Sequence, residues 1–163
     1  MHRRGLAQRA WALPCSALGL CAAAAFALIA GPLTWRRVRG VLEIAPSDPA
    51  RAERWPGVFD AITFGHVVLG RSPSLLAGLR AHEHAHVAQY ARWGPLMLIL
   101  YPLESLWQAA RGHRPYLDNR FEVQARAAAA AQAPDATLDA VPIVRVDGLH
   151  DRPDRPPVHA GFL

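Results

Sequence analysis

The sequence predicts an α+β fold, in which a small sheet packs on helices behind one apolar N-terminal helix. Three observations predict it. An uncharged run fills residues 10–35, two short β-branched runs follow, and from residue 72 onward apolar residues recur at the three-and-four spacing of helices. At 163 residues the chain has room for one domain of ordinary size, built around one core.

The apolar run, AWALPCSALGLCAAAAFALIAGPLTW, opens the chain after a basic stretch at residues 1–9. At about 1.5 Å per helical residue, Trp11 to Trp35 spans about 36 Å, so both indoles reach headgroup depth in a bilayer. Pro14 falls in the first turn, and Gly31-Pro32 falls near the end, where both are tolerated. Residues 10–35 therefore read as a transmembrane anchor or a signal sequence, with a buried soluble helix as the third alternative. The one good small-x-small cleavage site, Ala25-Phe26-Ala27, lies inside the run, which favours an uncleaved anchor with the lipid bilayer as partner. Three arginines flank each end, so the positive-inside rule leaves the orientation open.

Those arginines also account for the charge. The chain is 52% hydrophobic and 19% charged, with Lys+Arg 18, all arginine, against Asp+Glu 13 and a formal net charge of +5. Arg3, Arg4, Arg9, Arg36, Arg37 and Arg39 bracket the apolar run, and no acid precedes Glu43. From residue 40 onward, 12 arginines meet 13 acids. The excess flanks a membrane segment and does not line a groove, so no nucleic-acid partner is expected. Both cysteines, Cys15 and Cys21, fall within the run. No disulfide framework or thiolate site is available downstream, and any metal must be held by histidine and carboxylate.

After the run come two β-like segments, Val38 to Ile44 and Ala61 to Leu69, the second closed by Gly70. Residues 45–57 carry three prolines and mixed charge and read as a loop, so a sheet of two or three strands is expected. Ser72-Pro73-Ser74 then starts a helix that Gly94-Pro95 stops. Leu75, Leu79, His82, His86, Tyr90 and Trp93 share one face of it.

Two of these belong to His82-Glu83-His84-Ala85-His86, which matches H-E-x-x-H. Histidines four apart on a helix project side by side and can place two imidazole nitrogens on one zinc ion. Glu83, rotated by about 100°, can lean over an open coordination position as general base and later proton donor. His84 points nearly the opposite way and reads as solvent-facing or as a support to the ligands. Gln89 reads as a support or as a plain surface residue.

A catalytic zinc site needs a third protein ligand and one open position. The acidic candidates downstream are Glu104, Asp118 and Glu122. Glu104 sits in an apolar segment, residues 95–107, where a lone carboxylate is costly. That segment reads as a helix covering the back of the zinc helix, or as an interfacial or re-entrant segment resting on the bilayer. Glu122 lies one turn into a helix that runs on through alanines 127–131, with Asp118 or Asn119 as its cap.

HEHAHVAQYARWGP followed by HRPYLDNRFEVQARAA resembles the small zincin-type metallopeptidase domains, specifically the gluzincins. With its apolar N-terminus and the strand AITFGHVVLGR, the chain is also similar to a family of small bacterial membrane proteins carrying HExxH and NxFExxA motifs. The resemblance covers about residues 58–131. It implies that His82, His86 and Glu122 bind zinc, that Glu83 is the catalytic base, and that the protein is a single-pass inner-membrane peptidase acting on peptide or protein substrates. One gluzincin group reads ExxAD at the glutamate helix, with the aspartate orienting a ligand histidine. Arg126 stands there in this chain, leaving Asp118 as the available substitute. Tyr116, His113 and His66 are candidate donors to an oxyanion.

Residues 36–133 are thus expected to form a minimal zincin-like metal-binding domain. VPIVRV at 141–146 can add a short strand, and residues 134–163 otherwise read as a mostly disordered tail. Two alternatives to a working peptidase follow from the same residues. One is a catalytically inert zinc-binding module of the bacterial envelope, and the other is an enzyme kept latent by its tail or by a partner.

Overall fold

Helix α1, Leu13–Ala30, opens the fold in the computed structural model, which describes residues 10–48, 50 and 59–132. Pro14 sits in its first turn, and Gly31, at φ +78°, ends it by donating its N–H to Ala27 O. The helix is long and apolar enough to cross a membrane. One stripe of it, Cys15, Gly19, Ala23, Phe26 and Ala30, is buried. At Gly19 a Cβ would lie 2.8 Å from Val67 Cβ, so only glycine allows the helix this close to the sheet.

Four strands follow: β1 Leu33–Val38, β2 Val41–Pro46, β3 Ala61–Phe64 and β4 Val67–Gly70. They form one mixed sheet in the order β1-β2-β4-β3, with β2 and β4 parallel and both other pairs antiparallel. Arg39 and Gly40, both at positive φ, make the two-residue turn between β1 and β2. The sheet is larger than the two or three strands expected. The run Ala61 to Leu69 is not one strand, because Gly65, at φ +61°, and His66 fold it into a hairpin. Leu33 to Trp35, expected inside the anchor, instead open β1, so the apolar helix ends at Ala30.

Alternation along the strands gives the sheet two apolar sides. Ile44, Val67 and Leu69 pack on Ala23 of α1, whereas Val41, Ala45 and Val68 pack on Leu76 and Val87. Those last two residues belong to α2, Pro73–Trp93, so the sheet lies between α1 and α2. Ser72 caps α2 by accepting from Leu75 N at 3.1 Å. Its core stripe is Leu76, Glu83, Val87 and Tyr90, while Leu75 and Leu79 are half-buried and Trp93 is exposed. His86 and Tyr90 of the expected face are buried too, but the buried face extends to Glu83, Val87 and Gln89, which puts Glu83 in the interior.

A 3-10 turn, Gly94–Leu96, leads into α3, Met97–Ala110, and α4, Arg120–Gln132, completes the described fold. Helix α3 does not cover the back of α2, which the sheet already occupies. Asn119 caps α4 by accepting from Phe121 N at 2.9 Å. Residues 1–9, most of the loop at 45–57, VPIVRV and the whole of the tail at 134–163 lie outside the described residues.

Candidate metal centre

Three helical turns bring the site together. His82 and His86 lie one turn apart on α2, and Glu122 lies in the first turn of α4, which packs along α2. The two Nε2 atoms are 3.1 Å apart. Glu122 Oε2 is 3.3 Å from His82 Nε2, and Glu122 Oε1 is 3.2 Å from His86 Nε2. All three side chains are mostly shielded from water. The group can hold a metal ion.

The donor chemistry fits a cation. Gln89 Nε2 donates to Phe121 O at 2.9 Å, which turns its Oε1 toward His86 Nδ1 at 2.8 Å. That carbonyl can only accept, so Nδ1 carries the proton and the neutral ring presents a lone pair at Nε2. The lone pair faces a second imidazole and a carboxylate. Glu122 Oε2 is buried and accepts no hydrogen bond. A cation among them satisfies every one of these acceptors at once.

Electrostatics agree with this. Burial pushes the Glu122 carboxyl up, but His82, His86 and the Tyr101 hydroxyl outweigh it and hold the group well below the usual carboxylate range. Burial pushes His86 down, and Glu122 and Gln89 more than reverse this, so the site draws positive charge, supplied either by a second ring proton or by a metal ion that displaces it. Tyr101 on α3 donates to Glu122 Oε1 at 2.7 Å and so fixes this carboxylate. Arg126, one turn beyond Glu122, lies 3.8 Å from its Oε2.

The cluster opens into a cavity of about 350 Å³. Glu83 lines it beside His82, His86 and Glu122, and its Oε2 accepts from Thr63 of the edge strand β3 at 2.7 Å. Leu98, Tyr101, Pro102 and Tyr116 form the facing wall. Burial, with Glu122 nearby, pushes the Tyr116 phenol up to about 12, so it stays a proton donor at neutral pH.

Other candidates fall elsewhere. Glu104 pairs with Gln108 at 2.8 Å and Arg120 at 3.4 Å, away from the cluster. Asp118 does not orient a ligand histidine, because Arg114 engages it through its backbone and guanidinium. Gln89 does that work for His86. His84 is not solvent-facing: it lies 3.4 Å from Glu43 on the sheet side of α2, and its buried Nε2 makes no hydrogen bond. His66 is bound to Ser16 under the β3–β4 turn, and His113 to Gln108, so neither lines the cavity.

Thr63 and Tyr101 are the contributors that the sequence did not mark. Thr63 sits in an apolar run with no partner nearby in sequence, and Tyr101 looks like one more core aromatic. No family model matches the chain, and no curated protein or solved structure matches it either.

Proposed function

We propose that this protein is a membrane-associated zinc-dependent peptidase of gluzincin type, with His82, His86 and Glu122 as ligands and Glu83 as general base. The convergence of the two Nε2 atoms and the Glu122 carboxylate at 3.1 to 3.3 Å carries the reading. Ligands about 2.0 to 2.1 Å from a tetrahedral ion lie about 3.3 to 3.4 Å from one another, so the spacing suits zinc. Two imidazoles and one carboxylate, with a cavity on the remaining side, match the composition of catalytic rather than structural zinc sites.

Bound there, zinc supplies Lewis acidity and makes water a nucleophile near neutral pH. The chain's own residues do the rest. Glu83, held through Oε2 by Thr63, takes a proton from the attacking water and delivers it to the leaving amine. Tyr116 donates to the carbonyl oxygen as negative charge develops on it. Tyr101 and Gln89 keep Glu122 and His86 aimed.

The test starts with metal analysis of the purified full chain. One zinc per chain is expected, lost in His86→Ala and retained in Glu83→Gln. Glu83→Gln should abolish cleavage of a broad peptide library that the parent cuts. A parent without metal ends the zinc reading, and a zinc-loaded parent inert toward the library leaves the catalytically inert envelope module as the better account.

A further inference from the structure

Helix α3 is built inside out. Past the buried Met97 its inward side is polar: Tyr101 donates to Glu122, Ser105 accepts from Asn119 Nδ2 at 2.8 Å, and Gln108 bridges Glu104 and His113 at 2.8 Å each. Its outward side is an uncharged stripe at helical spacing, Ile99, Leu103, Leu106 and Trp107, all more than half exposed. A helix facing water runs the other way round. Its 14 residues, about 21 Å, are too few to cross a bilayer.

The chemistry at the ends of the stripe says what covers it. Arg92 lies 5.5 Å over the Trp93 ring just before α3, and Arg111 lies 5.4 Å over Trp107 near its end. An indole at the acyl boundary with a cation above it suits the headgroup layer, and cations bracketing an apolar stripe complement an anionic lipid surface. The patch continues onto α1. Trp11, half exposed, rests against Gly94 at the head of α3, and the side of α1 away from the sheet shows Leu13, Leu28 and Ile29 without a charge.

Yet α1 is not free to cross the bilayer alone. Gly19 and Ala23 press it onto the β3–β4 hairpin and Ile44, and the sheet carries exposed Arg36 and Arg37 on β1. A spanning α1 would draw the docked sheet and those charges into hydrocarbon. We infer that the protein is seated in one leaflet, with α1 and α3 lying in the plane of an anionic membrane interface. Leu98 and Pro102 of α3 also line the cavity, so the cavity opens beside lipid, and peptide segments lying on the bilayer surface are the substrate class it meets. That last step rests on the peptidase reading. The seat does not, and its test uses neither metal nor activity.

Cys21 is exposed at the middle of α1 while Cys15 is buried, so a spin label attaches selectively at Cys21 of the full chain. Reconstituted into phosphatidylglycerol/phosphatidylcholine vesicles, the label should report a depth of about 5 to 10 Å, as for an interfacial helix. Replacing Leu103 and Leu106 together by Glu should lower the vesicle-bound fraction about tenfold with near-UV circular dichroism unchanged. A label about 15 Å deep, at the bilayer centre, overturns the seat in favour of a spanning helix. So does a folded charged variant that floats with vesicles as the parent does, or a folded parent that ignores vesicles and dimerises through the stripe. Should the charged variant misfold, bromolipid quenching of tryptophan emission decides. A drop in quenching in Trp107→Phe supports the seat, and no drop overturns it.

Discussion

The Thr63 hydroxyl donates a 2.7 Å hydrogen bond to Glu83 Oε2, joining the edge strand of the sheet to the acid of the HExxH helix. Both side chains are buried, so water does not substitute for either partner. Thr63→Val keeps the shape of the side chain and removes the donor. A hydrogen bond to a charged group is worth about 1.5 to 3 kcal/mol, so kcat on a cleaved peptide should fall by at least about tenfold with KM little changed. Thr63→Ser should restore it. A Val variant with parental kcat would show that Glu83 is aimed by packing alone.

Gln89 should act through metal affinity. It reads Phe121 O with its amide nitrogen and holds His86 Nδ1 with its oxygen, so it joins α2 to α4. Gln89→Ala frees the His86 ring to rotate and to change tautomer. Zinc affinity, measured by competition with a chromogenic chelator, should drop about 10- to 100-fold. The melting temperature of the metal-free protein should change much less.

Tyr116 is exposed enough to move and lies in the cavity wall. Tyr116→Phe should leave zinc content intact and lower kcat by about 100-fold, the order seen when one oxyanion donor is removed. A rise in KM alone, with kcat preserved, would make the hydroxyl a substrate-binding contact and not an oxyanion donor.

Helix α2 was legible because its information is local: His82 and His86 stand four residues apart, and Gly94-Pro95 marks the stop. Glu122 was not legible in that way. Spacing alone left Glu104, Asp118 and Glu122 open, and only the family resemblance pointed to Glu122. What puts Glu122 in place is tertiary: Asn119 and Tyr101 seat the start of α4 against α3. The β3–β4 hairpin was hidden because its turn, Gly65-His66, is flanked by apolar residues on both sides, without the polar cluster that usually marks a turn. The α3 segment was ambiguous for a related reason. Composition shows how apolar it is, but only the fold shows that its polar residues point inward.

On the sheet side of α2, Arg80 grips Glu43 of β2 with bonds of 2.7 and 3.0 Å, a pair 37 residues apart in sequence. Burial pushes the Glu43 carboxyl up, but Arg80, aided by His84, outweighs it and holds it below the ordinary value of 4.5. A depressed carboxylate stabilises the fold above its unfolded value and loses that contribution as pH falls through the folded one. The parent should therefore lose more melting temperature than Glu43→Gln when pH drops from about 5 to about 3. At neutral pH Arg80→Met should cost about 2 kcal/mol, less than for a fully buried pair because the guanidinium keeps access to water. Equal acid slopes in parent and Glu43→Gln would assign the acid sensitivity to other carboxylates.

Asn119 is fully buried and uses both ends of its amide. Its Oδ1 caps α4 by accepting from Phe121 N, while Nδ2 donates to Tyr101 O at 3.1 Å and Ser105 Oγ at 2.8 Å, pinning the cap to α3. The two roles separate by substitution. Asn119→Ala removes both and should cost about 2 to 4 kcal/mol, combining a lost cap with buried groups left unpaired. Asn119→Asp keeps the capping oxygen but sets a carboxylate against the Tyr101 carbonyl, so it should be at least as unstable as the alanine variant. Glu122 lies one turn further on, so both variants should also weaken zinc binding when folded protein is compared at low temperature. Parental stability in Asn119→Asp would mean that capping alone positions α4 and that the tie to α3 contributes nothing.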